Sequence, residues 1–232
     1  MHPWKLILLL LFGFAAEANA SSTTAVLRRV LASQEWRKGN AVCASLPEGE
    51  ARRAGLVKLP ASHYAQLAAL CAAVESGAGD DLAADWWWFT ATAMDAKAAL
   101  ELLPELRASG LLTRLSSPRK LARNVAGKLA KPQVTLPTGE AVDGEPVKVI
   151  EAPRPPRWMF RRVAHTEVAV ELLIGADGIP RQPLLVSAHA APLHVFLAFA
   201  FLRQWRFSPA MVAGKPTPST YQLSVNTESG SL

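Results

Sequence analysis

Hydrophobic periodicity changes once along the chain, near Ala152, and that change limits the fold more than any single motif. Before it, apolar residues recur at helical spacing, as in Tyr64, Leu67, Ala68, Leu70, Cys71 and Val74. After it they alternate: Val168, Val170, Leu172 and Ile174 share one face of a strand over Glu167 to Ile174. Asp177-Gly178 then signals a hairpin. The return strand runs from about Gln182 to Ser187, with Pro180 and Pro183 marking an edge or a bulge at its start. The expected class is α+β. A helical N-terminal domain spans 21–115, a linker 116–151, and a small domain of three antiparallel strands with a packed helix 152–228.

Local signals divide the helical half. Ser22-Thr23-Thr24 caps a first helix, Glu35 to Lys38 closes it, and Gly39-Asn40 stops it. Pro47 to Glu50 opens a loop or a short helix. Pro60-Ala61-Ser62 starts a stronger helix that ends at Gly77-Ala78-Gly79. Asp80-Asp81 begins the next, through Leu82, Trp86, Phe89 and Met94. Asp95 caps another, striped by Leu100, Leu103, Leu106 and Leu112, with Pro104 expected to kink or split it. Trp86, Trp87 and Trp88 cannot all face one stripe. Two are expected in the core and the third in a contact between helices or domains; the competing reading is an aromatic platform for a ligand.

The N-terminus carries an address. Leu6 to Phe14 is an apolar run, and Ala18-Asn19-Ala20 matches a signal-peptidase site. Pro3 and Glu17 bound a stretch shorter than the about 20 residues that span a bilayer. Cleavage after Ala20 gives an exported, periplasmic chain; an uncleaved inner-membrane anchor is the alternative. Export makes nucleic acid an unsuitable partner for the net charge of +6. It also lets Cys43 and Cys71, the only two cysteines, form a structural disulfide. Two buried thiols are the other reading.

The linker has a basic first half, with Arg119, Lys120, Arg123, Lys128 and Lys131, and a proline-rich second half. It reads as a semi-extended spacer, either solvated or lying on an anionic surface. Val147, Val149 and Ile150 alternate within it and add a candidate strand. Arg157 to Val163 reads as a short helical turn.

The last third is denser in signals. A helix from about Ala191 to Gln204 is apolar on nearly every side, so the helical domain, a second copy or a partner is expected to cover it. Trp205-Arg206-Phe207-Ser208-Pro209-Ala210 then runs from helix into strand, with Trp205 and Phe207 expected in the core and Arg206 outside. Ala213 to Pro216 is a turn. The final alternating segment, Ser219, Thr220, Tyr221, Gln222, Leu223, Ser224, Val225 and Asn226, reads as an exposed edge strand.

Together Pro155-Pro156-Arg157, Val168 to Ile174, Ala176-Asp177-Gly178, Leu202-Arg203-Gln204, Trp205 to Ala210 and Gly214-Lys215-Pro216 resemble the C-terminal domain of the TonB family, over about residues 150–228. The resemblance implies a three-stranded antiparallel sheet with a helix on it, and a periplasmic module that binds a protein partner. The last strand of such domains pairs with an extended segment of an outer-membrane transporter and relays force from an inner-membrane motor. Strand addition of this kind draws affinity from main-chain bonds and register from alternate side chains, so Ser219 to Asn226 is the candidate partner-binding segment. This chain departs from the family in three places. Trp158-Met159 stands where the family has Tyr-Pro, Ile179-Pro180 follows the hairpin glycine, and the leader reads as cleavable where the family's transducers keep an anchor.

No G-x-S-x-G, H-E-x-x-H, Walker or G-x-G-x-x-G pattern occurs. His189 and His194 are five apart, off one helix face, and do not form a metal pair. The chain therefore reads as a binding protein, without enzymatic activity, cofactor or metal. Its expected role is to bind an envelope protein in energy-coupled transport. The alternative is a scaffold or assembly module in which the same fold forms a homodimer.

Overall fold

The computed structural model describes residues 23–53, 58–108, 133–153 and 167–226. The leader, the basic run at 119–131, Leu112, the Arg157 to Val163 segment and Pro155-Pro156-Arg157 lie outside them. The chain divides into two compact units, residues 1–115 and 116–232. Among the described residues, helices fill the first, and strands with one helix fill the second.

In the first unit, α1 covers residues 23–33 and α2 Trp36–Arg53. The break falls at Gln34, whose φ of 57° is left-handed, and not at Gly39-Asn40, which lie inside α2. The reason is tertiary. A Cβ at Gly39 would meet Val74 Cγ1 at 2.5 Å and Val30 Cγ1 at 2.7 Å, so glycine is used for close helix packing and not as a stop. Pro47 to Glu50 likewise continue α2. Next, α3 (Ala61–Gly77) starts after Pro60 and ends before Gly79 at φ 83°. It is buried around its circumference, Ala65, Ala69, Ala72 and Ala73 included, and packs chiefly on α4. The Cys43–Cys71 disulfide joins α2 to α3.

The long helix α4 (Asp81–Ala108) is two segments. Asp80 Oδ1 accepts the Ala83 N–H at 2.9 Å and caps the first. Asp95, extended at φ −159° and ψ 96°, accepts the Ala98 N–H at 3.0 Å and caps the second. The break comes from this cap and not from Pro104, which stays helical. Leu100, four residues before Pro104, is exposed, so its unpaired carbonyl can be solvated. The stripe also differs from the expected one. Leu102 and Leu106 are buried, while Leu100 is 52% exposed. All three tryptophans are buried, at 2%, 2% and 4% exposure. None is left free to form a surface platform.

The second unit opens inside the stretch expected to be a spacer. β1 (Gln133–Thr135) and β2 (Ala141–Asp143) make a hairpin around Gly139, whose φ is 88°. β3 (Lys148–Glu151) pairs antiparallel with β6 (Arg206–Ser208). The central sheet has the order β5-β4-β9, from β4 (Glu167–Ile174), β5 (Pro180–His189) and β9 (Ser219–Asn226), all antiparallel. β7 (Ala210–Val212) and β8 (Lys215–Thr217) form a second hairpin through Ala213 and Gly214, both with positive φ.

Helix α5 (Pro192–Leu202) is buried within the chain on all sides; nine of its eleven residues are buried. Beyond it, Trp205 and Phe207 are buried and Arg206 is exposed, as alternation requires. Among the described residues no helix is long and apolar enough to cross a membrane.

Candidate partner-binding strand

The eight residues of β9 pair with β4 without a bulge, from Ser219 opposite Ile174 to Asn226 opposite Glu167. Val225, Leu223 and Tyr221 lie opposite Val168, Val170 and Leu172, which are buried. This is the packed face. Val225 is 2% exposed, and the Tyr221 ring meets Phe207 edge-on at 5.6 Å. Phe207 continues to Trp205 at 6.0 Å, and Trp205 to Phe201 of α5 at 6.5 Å. The aromatic pair read as core thus anchors the edge strand to the helix end.

The opposite face carries Thr220, Gln222 and Ser224. Ser224 is exposed. Gln222 Nε2 donates to Glu171 Oε2 at 2.9 Å, on a strand where Glu171 is fully buried. This side-chain bond ties β9 to β4 beyond the backbone ladder.

The two edges of the central sheet differ. β5 carries Pro180 and Pro183, two register shifts against β4, and Gln182 at φ 46°. Such irregularity blunts an edge against pairing. β9 has none of it. Among the described residues, only its first half has a neighbour on the outside: Thr220 Oγ1 donates to the Thr135 carbonyl of β1 at 3.4 Å. β1 joins β2 in its ladder and not β9. The expected site therefore divides into Ser219–Gln222, beside β1, and Leu223–Asn226. A hollow of about 220 Å³ lies where β1 meets β9, walled by Gln133, Thr135, Val147 and Ser219 among others. Gln133 and Thr135 belong to no expected site. Their signal was the alternation Gln133-Val134-Thr135 ahead of Pro137-Thr138-Gly139, inside a stretch taken for linker.

A second polar cluster lies in the first unit. Glu50 of α2, 1% exposed, stands 3.6 Å from His63 Nε2 of α3. Tyr64 beside it has its phenol held well above the usual range, first by burial and then by the Glu50 charge. With the Cys43–Cys71 bridge, this cluster joins α2 to α3 from within. In the second unit, burial lowers the His194 imidazole below its ordinary value. Among the described residues no three His, Cys, Asp or Glu side chains converge as metal ligands do. No family model, curated protein or solved structure matches the chain.

Proposed function

We propose that this is an exported, TonB-like binding protein that takes up an extended segment of an envelope protein by strand addition along β9. The observation that carries the proposal is the contrast between the sheet's two edges. β9 presents an unbroken eight-residue register, while β5 is bulged and bears prolines. The partner class follows from the sequence resemblance: the periplasmic segment of an outer-membrane transporter. The edge strand is held at its back by the Phe207–Tyr221 contact and by Gln222 to Glu171. Adding a strand therefore costs little rearrangement of the sheet.

Photo-crosslinking from single positions tests this reading. A crosslinker at Ser224, exposed on β9, should capture an outer-membrane transporter in envelope extracts; one at Ser187, exposed on β5, should not. Capture from Ser187 alone, or no capture from either, sinks the proposal. Crosslinks from Ser224 to a second copy of the chain, with a doubled mass by light scattering, would instead support the assembly role.

A further inference from the structure

This inference rests on the strand-addition reading and concerns which part of β9 takes the added segment. The outer edge of β9 has two unlike halves. Among the described residues no strand lies outside Leu223 to Asn226. Beside Ser219 to Gln222 stands β1, whose Thr135 carbonyl accepts the Thr220 hydroxyl at 3.4 Å. β1 pairs with β2, and no ladder joins it to β9. The two strands lie side by side without main-chain pairing, yet no third strand fits between them. Cα atoms of β1 and β9 come within 8 Å of each other. A strand inserted between two others needs about 4.8 Å on each side, which is more than about 9 Å in all.

β1 is also firmly held. Val134 at its centre is 2% exposed, and Val147, just past the hairpin, is buried as well. The Leu136 N–H donates to the Glu140 carbonyl and the Gly139 N–H to the Leu136 carbonyl, both at 2.8 Å, which closes the turn between β1 and β2. Beyond β2, Glu145 and Met211 exchange both main-chain hydrogen bonds, at 2.8 and 2.9 Å, and tie the exit of the hairpin to β7. A Cβ at Gly144 would collide with the Met211 carbonyl, so this junction is tight. Swinging β1 off the edge would bring Val134 into water and pull against these ties.

We infer that the β1–β2 hairpin is a fixed stop on the β9 edge, and that the docking surface is Leu223 to Asn226 for a short extended run that ends before it reaches β1. Alternate residues of an edge strand direct both N–H and C=O outward, so about half of these residues do, enough for about four main-chain bonds with an antiparallel segment. A segment that continued straight past Leu223 would run into Thr135. The partner chain must turn away there. A proline or glycine turn, or a chain end, therefore borders its paired run on the side that faces Gln222. Selection of this kind reads where the backbone breaks and needs no particular side chain.

The test uses the mature chain and three fluorescent peptides. One has eight alternating Val and Thr residues, matched to the length of β9, between terminal lysines. In the others Pro-Gly takes positions five and six, or three and four, leaving a run of four at one end or the other. One broken peptide should bind within about twofold of the unbroken one, because the residues it disrupts never pair. Bridging Thr135→Cys to Thr220→Cys with a short bis-maleimide holds β1 in place and should leave the affinities within about twofold; Cys43 and Cys71 are already joined and take no label. Val134→Asp, which drives β1 out of the core, should open the whole edge. The unbroken peptide should then bind about tenfold tighter than either broken one, the worth of about one hydrogen bond. Three results overturn the stop and leave strand addition standing: both broken peptides about tenfold weaker on the wild type, the bridge weakening the unbroken peptide tenfold, or no gain for it in a folded Val134→Asp. Should that variant not fold, the broken peptides and the bridge decide. If no peptide binds, or bound peptide is not captured by a photo-crosslinker at Ser224, strand addition along β9 falls and the stop with it.

Discussion

The Phe207 N–H donates to the Gly178 carbonyl at 3.1 Å, and Gly178 sits at φ 74° with no room for a Cβ beneath the Phe207 carbonyl. The tip of the β4–β5 hairpin is thus pinned to the Trp205–Phe207 segment, twenty-nine positions away by subtraction of the residue numbers. The two sequence signals that stood out in this half of the chain are one contact in space.

Gly178→Ala meets that contact directly. It combines a left-handed backbone, costing an L-residue about 1–2 kcal/mol, with a collision against main chain that cannot move aside. The expected loss is at least about 2 kcal/mol, read as a lower urea midpoint with unchanged slope. A loss within error of zero would mean that the hairpin tip is free of Phe207.

Gly39→Ala should destabilise the helical unit by about 1–3 kcal/mol, since the two valine methyl groups it meets belong to stiff side chains. Combining it with Val74→Ala should recover part of the cost, so a double-mutant cycle should show a favourable coupling. Strict additivity would show that the two positions do not touch.

The Cys43–Cys71 bridge spans 28 residues in sequence, so its removal should cost about 3–4 kcal/mol by loop entropy. Paired Cys43→Ala and Cys71→Ala changes should lower the melting temperature of the helical unit well below that of the oxidised wild type. Adding reductant to the variant should change nothing further. Equal melting of variant and wild type would contradict the bridge.

His194 is held below the usual imidazole value of about 6.5 by burial, so the folded chain resists a proton that the unfolded chain accepts. The unfolded state therefore binds more protons below about pH 6.5. Stability is complete above that pH and declines as pH falls from there toward the lowered folded value. Chemical denaturation at pH 7.5 and 5.5 should show this decline in the wild type, and a smaller one in His194→Gln. Identical declines would remove His194 as the cause.

Where one strand face is packed, alternation was enough to find the strand. Val168 to Ile174 gave β4 its limits, and Thr220 to Val225 located β9. Caps were equally legible: Asp80 and Asp95 each bind the N–H three residues on, a local device that needs no tertiary partner. The misread positions depend on distant neighbours. Gly39 looks like a stop until Val30 and Val74 are placed against it. β1 and β2 have three residues each, a short alternation inside a proline-rich stretch. β3 falls on the candidate strand of Val147, Val149 and Ile150, but its partner, with Lys148 beside Ser208, lies sixty positions away. The outer neighbour of β9 was hidden for the same reason.

The amino-acid sequence alone determined the change from helix to strand, the hairpin at Asp177-Gly178, the two caps and the span of the edge strand. All of these follow from side-chain periodicity and from hydrogen bonds within a few residues. Tertiary structure alone decided that β9 is regular while β5 is bulged, that β1 closes off half of its outer edge, and that Ser219 is left with a buried, unpaired hydroxyl beside a small neutral hollow. The closure by β1 arises where segments more than eighty residues apart in sequence meet, as Thr135 and Thr220 do. No local pattern encodes such a meeting; it follows from how the whole core closes.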